Sequence, residues 1–261
     1  MTKPFIWKKV GYQNKNGLKL SGLLFAGPEN GTVVIVCHGF TGSKEGGGRA
    51  VAMAEEMGAR GYATLLFDFS GCGESEGDFA DVSLTGHIAD IKCTVDFCLG
   101  LGFSRVIAVG RSFGGTAAIC QGGADGRVAG VCAWAAPGAL RDVFSGFLKR
   151  AVEAGGDMVP LSEEEDAGFI KKSFISDLER HDVFGQAALI APRPLLLIQG
   201  SNDQVVPVEN AQAIYNAAGE PKKIRIIQEA DHQFTGFHLE AWEALFEWLE
   251  ENFSMQRFMH Y

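Results

Sequence analysis

The sequence predicts an α/β fold: a mostly parallel sheet with helices on both faces. Short β-branched runs without polar alternation, such as residues 33–37 and 63–67, read as strands buried on both faces. Segments of helical periodicity separate these runs from residue 33 onward. One of the strands ends in Gly110-Arg111-Ser112-Phe113-Gly114 and flows into small, helix-compatible residues, a strand–turn–helix junction of unusual tightness.

The elements follow in order. Residues 7–24 alternate polar and apolar side chains around Asn14-Lys15-Asn16-Gly17, a good hairpin turn. Val33-Val34-Ile35-Val36-Cys37 is the first buried strand, and residues 49–57 have helical character, closed by Gly58 and Gly61. Ala63-Thr64-Leu65-Leu66-Phe67 is the next strand. Ile88, Ile91, Val95 and Leu99 recur at helical spacing and define an amphipathic helix ending at Gly100. Val106-Ile107-Ala108-Val109, residues 128–134, Leu195-Leu196-Leu197-Ile198 and Ile224-Arg225-Ile226-Ile227 complete the strands. Helices are expected over 208–218 and 238–253, the second with Trp242, Leu245, Phe246 and Leu249 on one side.

One interval breaks the alternation. Residues 139–192 hold no buried-strand run, and about fifty residues is too long for an ordinary connection. Val143, Phe144, Phe147, Leu148 and Val152 suggest an amphipathic helix there, Glu163-Glu164-Glu165-Asp166 an acidic face, and residues 173–184 a second helical segment. The interval is expected to be a cap inserted over the C-terminal edge of the sheet, where open α/β folds bind ligands. The 261 residues then form one domain with one insertion.

Composition excludes several classes. The 46% hydrophobic and 21% charged content describes a globular chain, and no apolar run approaches a membrane span. A formal charge of −9 disfavours nucleic acid. Cys37, Cys72, Cys93, Cys98, Cys120 and Cys132 show neither a Cys-x-x-Cys pair nor metal-ligand spacing with histidine, and several sit inside apolar runs. With no secretory signal visible at residues 1–9, a cytoplasmic location is expected. No metal, cofactor, nucleic acid or membrane partner is expected.

The junction at Ser112 is where chemistry concentrates. Gly-x-Ser-x-Gly after a buried strand describes a nucleophile elbow, in which residues two positions away on each side must lack bulk. The serine hydroxyl then stands clear of the sheet at a helix N-terminus. A hydroxyl at neutral pH needs a histidine to take its proton and a carboxylate to orient that histidine. Asp203 follows the strand at 195–198, and His232 follows the strand at 224–227, so both belong to the same sheet edge as Ser112. An oxyanion hole needs two backbone donors: the N–H of Phe113, and that of Phe40 in His38-Gly39-Phe40-Thr41-Gly42.

Other residues read as structural. Asp231 braces its loop, and Glu229 is the lesser substitute for the acid. His38 is expected to hold a loop, while His87, His181, His238 and His260 are expected to be ordinary surface or helix residues. Gly71-Cys72-Gly73-Glu74-Ser75-Glu76-Gly77 superficially suggests dinucleotide binding. Acidic residues and no immediate helix follow, so that reading is rejected.

Taken together, His38-Gly39-Phe40-Thr41-Gly42, Asp68-Phe69-Ser70-Gly71-Cys72-Gly73-Glu74-Ser75, the elbow, Gly200-Ser201-Asn202-Asp203-Gln204-Val205-Val206-Pro207 and Asp231-His232 resemble the α/β-hydrolase superfamily along nearly the whole chain. Within it the chain looks most like bacterial carboxylesterases of the cinnamoyl/feruloyl esterase group and the related monoglyceride-lipase and serine-aminopeptidase-like group. The resemblance implies serine esterase activity on a small-molecule ester, no cofactor, and a cap that selects the acyl or alcohol part. A serine aminopeptidase or a thioesterase with the same three residues is the alternative, and a non-catalytic receptor a more distant one. Two positions depart from the group: Cys72 replaces a usual histidine, and Arg111 stands where the residue before the nucleophile is often histidine. Arg111 is expected to pair with an acid beneath the sheet, the other reading being attraction of a substrate carboxylate.

Overall fold

The computed structural model describes residues 6–26, 31–162 and 168–254. The chain opens with the hairpin β1 (Ile6–Gln13) and β2 (Lys19–Ala26), turned by Asn14, whose side-chain oxygen accepts from the N–H groups of Asn16 and Leu18. It continues through β3 (Thr32–Cys37), α1 (Arg49–Ala59), β4 (Ala63–Phe67), α2 (Leu84–Gly100), β5 (Arg105–Arg111), α3 (Phe113–Ala124) and β6 (Val128–Trp134). Next come α4 (Leu140–Val143), α5 (Ser145–Glu153), β7 (Met158–Pro160), β8 (Phe169–Lys171), α6 (Ser173–Leu178) and α7 (Val183–Ala188). The chain closes with β9 (Leu195–Gly200), α8 (Glu209–Ala217), β10 (Lys222–Ile227) and α9 (His238–Phe253).

The eight-stranded sheet has the order β1-β2-β4-β3-β5-β6-β9-β10. β2 runs antiparallel to both β1 and β4, and every pair from β4 to β10 is parallel. Strand order reverses at β3, whose neighbours are β4 on one side and β5 on the other. The register sets Cys37 opposite Gly110, so the loops leaving β3 and β5 emerge side by side at the C-terminal edge. Apolar residues fill both faces. Ile35, Leu65, Ala108 and Val131 pack towards α2 and α3, while Val34, Leu66, Ile107 and Cys132 pack towards α1 and α9. The six cysteines are free thiols, five of them buried, and burial pushes the Cys98 thiol up to about 12.

The 139–192 interval differs in detail from the sequence expectation. The first helix is two, α4 and α5, broken at Phe144, which leaves helical geometry (φ −93°, ψ 15°) as its ring packs inward. The second segment also divides into α6 and α7, because Asp182 accepts from Gly185 N and starts a new helix. β7 and β8 pair antiparallel as a separate two-stranded sheet that the sequence did not announce. Each has three residues and a single buried one, Val159 or Ile170, too short for a period of two to register. The acidic run at 163–166 lies outside the described residues.

The buried face of α2 also carries more than the predicted apolar stripe. Asp90 is buried and holds Asn14, the Ser70 N–H and the Ser70 hydroxyl. His87, expected as an ordinary residue, is buried, stacked on Phe69 at 3.8 Å, and neither ring nitrogen has a hydrogen-bond partner among the described residues. Burial, and secondarily the neighbouring His38, hold its pKa well below the usual histidine value. The unfolded chain therefore takes up a proton below about pH 6.5 that the folded protein refuses. Stability should fall as pH drops through that range, with a slope from this group of up to about 1.4 kcal/mol per pH unit. His87→Phe should flatten the dependence of urea unfolding between about pH 5 and 6.5, leaving a smaller slope of the same sign from buried His38. An unaltered slope would mean that His87 is already protonated in the native state.

Candidate active site

Ser112 lies between β5 and α3 with φ 53° and ψ −127°, a conformation that residues bearing a Cβ rarely adopt. Its neighbours permit the turn. A Cβ on Gly110 would meet the Gly114 carbonyl oxygen at 2.3 Å, and one on Gly114 would meet the His38 carbonyl oxygen at 2.2 Å. The Ser112 N–H donates to Trp134 O at 2.7 Å, while its own carbonyl accepts from Gly115 and Thr116. Strained backbone of this kind persists because both sides are held.

The structure brings Asp203 and His232 to Ser112. His232 Nε2 lies 3.1 Å from Ser112 Oγ, and Nδ1 lies 2.8 Å from Asp203 Oδ2. An ionised carboxylate can only accept, so Nδ1 carries the proton and Nε2 faces the serine hydroxyl. Asp203 is buried, and its other hydrogen bonds come from Val205 N (2.9 Å), Val206 N (2.8 Å) and Gln199 Nε2 (2.9 Å). Burial alone would push this carboxyl up. The bonds from His232 and from the Val205 and Val206 amides outweigh it and hold the pKa below the ordinary aspartate value.

Gln199 escaped the sequence reading. It is wholly buried at the end of β9, and Nε2 also donates to Val206 O at 3.0 Å, tying both ends of the Asp203 loop together. The signal available was one polar residue ending an otherwise apolar strand.

The loop after β3 lies against the elbow. A Cβ on Gly39 would sit 3.4 Å from Ser112 Cβ, and the Phe40 ring packs edge-on against Phe113 at 5.3 Å. His38 braces this loop: Nδ1 donates to Gly39 O at 2.7 Å, and Nε2 accepts from Phe69 N at 3.2 Å. A buried ion pair joins it to the loop after β4. Asp68 accepts from Lys44 N (2.7 Å), Lys44 Nζ (2.7 Å) and Glu74 N (2.9 Å), with both side chains excluded from solvent. The glycine-rich turn read superficially as a dinucleotide motif wraps this carboxylate, since a Cβ on Gly73 would meet Asp68 Cγ at 2.3 Å. From the 139–192 interval, Phe144 and Phe174 pack on both Phe40 and Phe113 at 5.2–5.8 Å, and Phe147 packs on Phe174 at 5.6 Å.

Comparison with known proteins places the chain in a family. The model of the "Alpha/beta hydrolase family" matches residues 34–248. The chain belongs to this family. Est1E from Butyrivibrio proteoclasticus, solved with ferulic acid bound, superposes with a TM-score of 0.80 at 22% identity, covering 94% of this chain and all of that one. In sequence, the uncharacterized protein YfhR of Salmonella typhi is 27% identical over 238 residues, 86% of this chain and 74% of that protein. The mitochondrial palmitoyl-protein thioesterase ABHD10 of Pongo abelii is 30% identical over 170 residues, 62% of this chain and 54% of that protein.

Within this α/β hydrolase the remaining candidates resolve as follows. Asp203, not Glu229, accepts from His232. Asp231 accepts from Gln233 N and Thr235 N and so braces its loop. His181 bonds Thr85 Oγ1 at 2.9 Å, His238 packs edge-on against Trp242 at 5.2 Å, and His260 lies outside the described residues. Arg111 departs from expectation. Its hydrogen bonds go to Gln233 Oε1 (2.7 Å) and His232 O (3.4 Å) instead of to an acid. The nearby carboxylates of Asp203 and Asp231 are already engaged by His232, Gln199 and backbone amides. Among the described residues no His, Cys, Asp and Glu cluster is arranged to hold a metal, and no helix is long and apolar enough to cross a membrane.

The strain at Ser112 is measurable. Ser112→Gly should raise stability by about 1 kcal/mol, because glycine adopts this conformation without penalty. Ser112→Ala keeps the Cβ and should show no such gain. Calorimetric melting of both variants checks the difference, and an equal response would place the strain elsewhere.

Proposed function

We propose that the protein is a serine esterase that cleaves small-molecule carboxylic esters through an acyl-enzyme on Ser112. The observation that carries this is the hydrogen-bonded chain from Ser112 through His232 to Asp203, with the serine raised on a strained elbow. In this reading His232 Nε2 takes the Ser112 proton as Oγ attacks the ester carbonyl. The negative oxygen of the tetrahedral intermediate is held by the N–H groups of Phe40 and Phe113, each contributing about 3 kcal/mol to the barrier reduction. His232 then gives its proton to the leaving alcohol, and water repeats the cycle on the acyl-enzyme. Asp203 fixes the imidazole tautomer and stabilises its cation. Residues 139–192 act as the cap, and Phe144 and Phe174 give it an apolar inner face suited to an apolar acyl or alcohol group. The fold shared with Est1E, whose structure holds ferulic acid, favours including aromatic acyl esters among the substrates tested.

The sequence relationship to ABHD10, a palmitoyl-protein thioesterase, supports thioester cleavage by the same residues as the second reading. Hydrolysis of p-nitrophenyl esters from acetate to dodecanoate, with methyl ferulate and matched acyl thioesters alongside, separates the two. Ester turnover should dominate, and Ser112→Ala should lower it by at least about a thousandfold. Gln199→Leu should lower kcat by about tenfold with KM little changed, because it loosens Asp203 without touching substrate. Preferential thioester turnover would favour the second reading, and full activity in Ser112→Ala would remove both.

A further inference from the structure

We propose that Arg111 is a positioning residue: it holds the His232 carbonyl and the Gln233 side chain so that the imidazole stays in register with Ser112. This rests on the esterase reading above. The segment between β10 and α9 is irregular, with positive φ at Glu229 (63°), Phe234 (51°) and Gly236 (78°), so neither ladder nor helix fixes His232. Asp203 grips only the ring, through Nδ1. The adjoining segment is held by two arginines, through main-chain carbonyls and the Gln233 side chain. Arg111 Nη2 donates to Gln233 Oε1 at 2.7 Å and to His232 O at 3.4 Å, and Arg49 Nη1 donates to Gln233 O at 3.2 Å. Gln233 N is held in turn by Asp231 Oδ1 at 3.0 Å. The residue beside the proposed base is therefore fixed from three sides.

The clamp shares its origin with the nucleophile. Arg111 is the last residue of β5 and Ser112 follows it directly, so one rigid strand sets both the position of Oγ and the anchor of the group that must reach it. A displacement of His232 by about 1 Å would break the 3.1 Å contact to Oγ, and losses of about a hundredfold attach to errors of that size. The guanidinium is half-buried, and burial followed by the nearby Arg49 charge pulls its pKa down. It stays cationic all the same, and a cation donates stronger hydrogen bonds to carbonyl oxygens than a neutral amide does. Arginine also offers several donors in a fixed plane, which suits two acceptors on adjacent residues.

The test compares Arg111→Met, Arg111→Lys, Gln233→Ala, the Arg111→Met/Gln233→Ala double variant and Ser112→Ala. Each is assayed on neutral p-nitrophenyl butyrate and on the anionic mono-p-nitrophenyl ester of succinate. Positioning predicts that Arg111→Met lowers kcat about tenfold on both esters, with KM changed by less than about twofold. Arg111→Lys should recover part of the loss, and the double variant should be little worse than Arg111→Met, since both act through one clamp. Where Arg111→Met fails to fold, Gln233→Ala carries the same prediction with a smaller loss. Unchanged kcat in both single variants overturns the proposal, as does a KM rise confined to the succinate ester, which would make Arg111 a receptor for a substrate carboxylate. Activity surviving in Ser112→Ala would instead defeat the esterase reading itself.

Discussion

The site depends on how closely α3 crosses the ends of β3 and β5. Gly114 sits where any side chain would collide with the carbonyls of Cys37 and His38, and Gly110 where it would collide with Gly114. That contact brings three things together. It forces Ser112 into its strained geometry, it brings the loop bearing Phe40 against the serine, and it leaves the N-terminus of α3 facing the same space. A single added methyl at Gly114 would part β3 from α3, and the nucleophile from the loop proposed to hold its oxyanion. Backbone against backbone is also a stiff contact, since no side-chain rotamer can absorb an error there.

Two buried carboxylates organise what surrounds this crossing, by the same physics. Asp203 accepts four hydrogen bonds, and Asp68 accepts two from Lys44 and one from the Glu74 amide. A carboxylate is costly to bury unless its lone pairs are used, so each one recruits its loop into a single conformation. One loop presents the acid to His232; the other closes on the segment that carries His38, Gly39 and Phe40. They differ in partner. Asp68 has a lysine of its own, whereas Asp203 faces the imidazole of His232.

Much of this was legible in the sequence because it is written locally. Buried strands show as β-branched runs, and the elbow needs its glycines within two positions of Ser112. Asp203 and His232 each follow a strand end, so the strand pattern alone placed them on one edge. What escaped depends on contacts distant in sequence. Arg111 was expected to find an acid, but the acids near it are engaged by other donors, which no spacing reveals. His87 falls on the buried stripe of α2, and its stacking partner Phe69 comes from the turn after β4, eighteen positions earlier. Gln199 reads as the start of a loop until the strand is seen to extend through Gly200. The breaks within the 139–192 interval turn on single residues, Phe144 drawn inward and Asp182 capping a new helix, and averaged periodicity passes over both.

The aromatic packing ties that interval to the chemistry proposed for Ser112. Phe40 and Phe113, whose N–H groups are the proposed oxyanion donors, are also two rings of one cluster with Phe79, Phe144 and Phe174. Phe40 and Phe79 come from the loops after β3 and β4, Phe113 opens α3, and the other two rings belong to the interval between β6 and β9. The amide and the ring of each donor residue are joined through a single Cα, so a shift of Phe144 or Phe174 is felt at the amides as well as in the apolar lining. Substrate size would then be read twice, once as the room left among the rings and once as the placement of the two donors. On the proposed reading, a filled, well-packed cluster would hold the donors where a developing oxyanion can use them, and a disturbed cluster would weaken turnover as well as binding. In such an arrangement selectivity appears in kcat as much as in KM, because the surface that accommodates the substrate is continuous with the surface that stabilises its transition state.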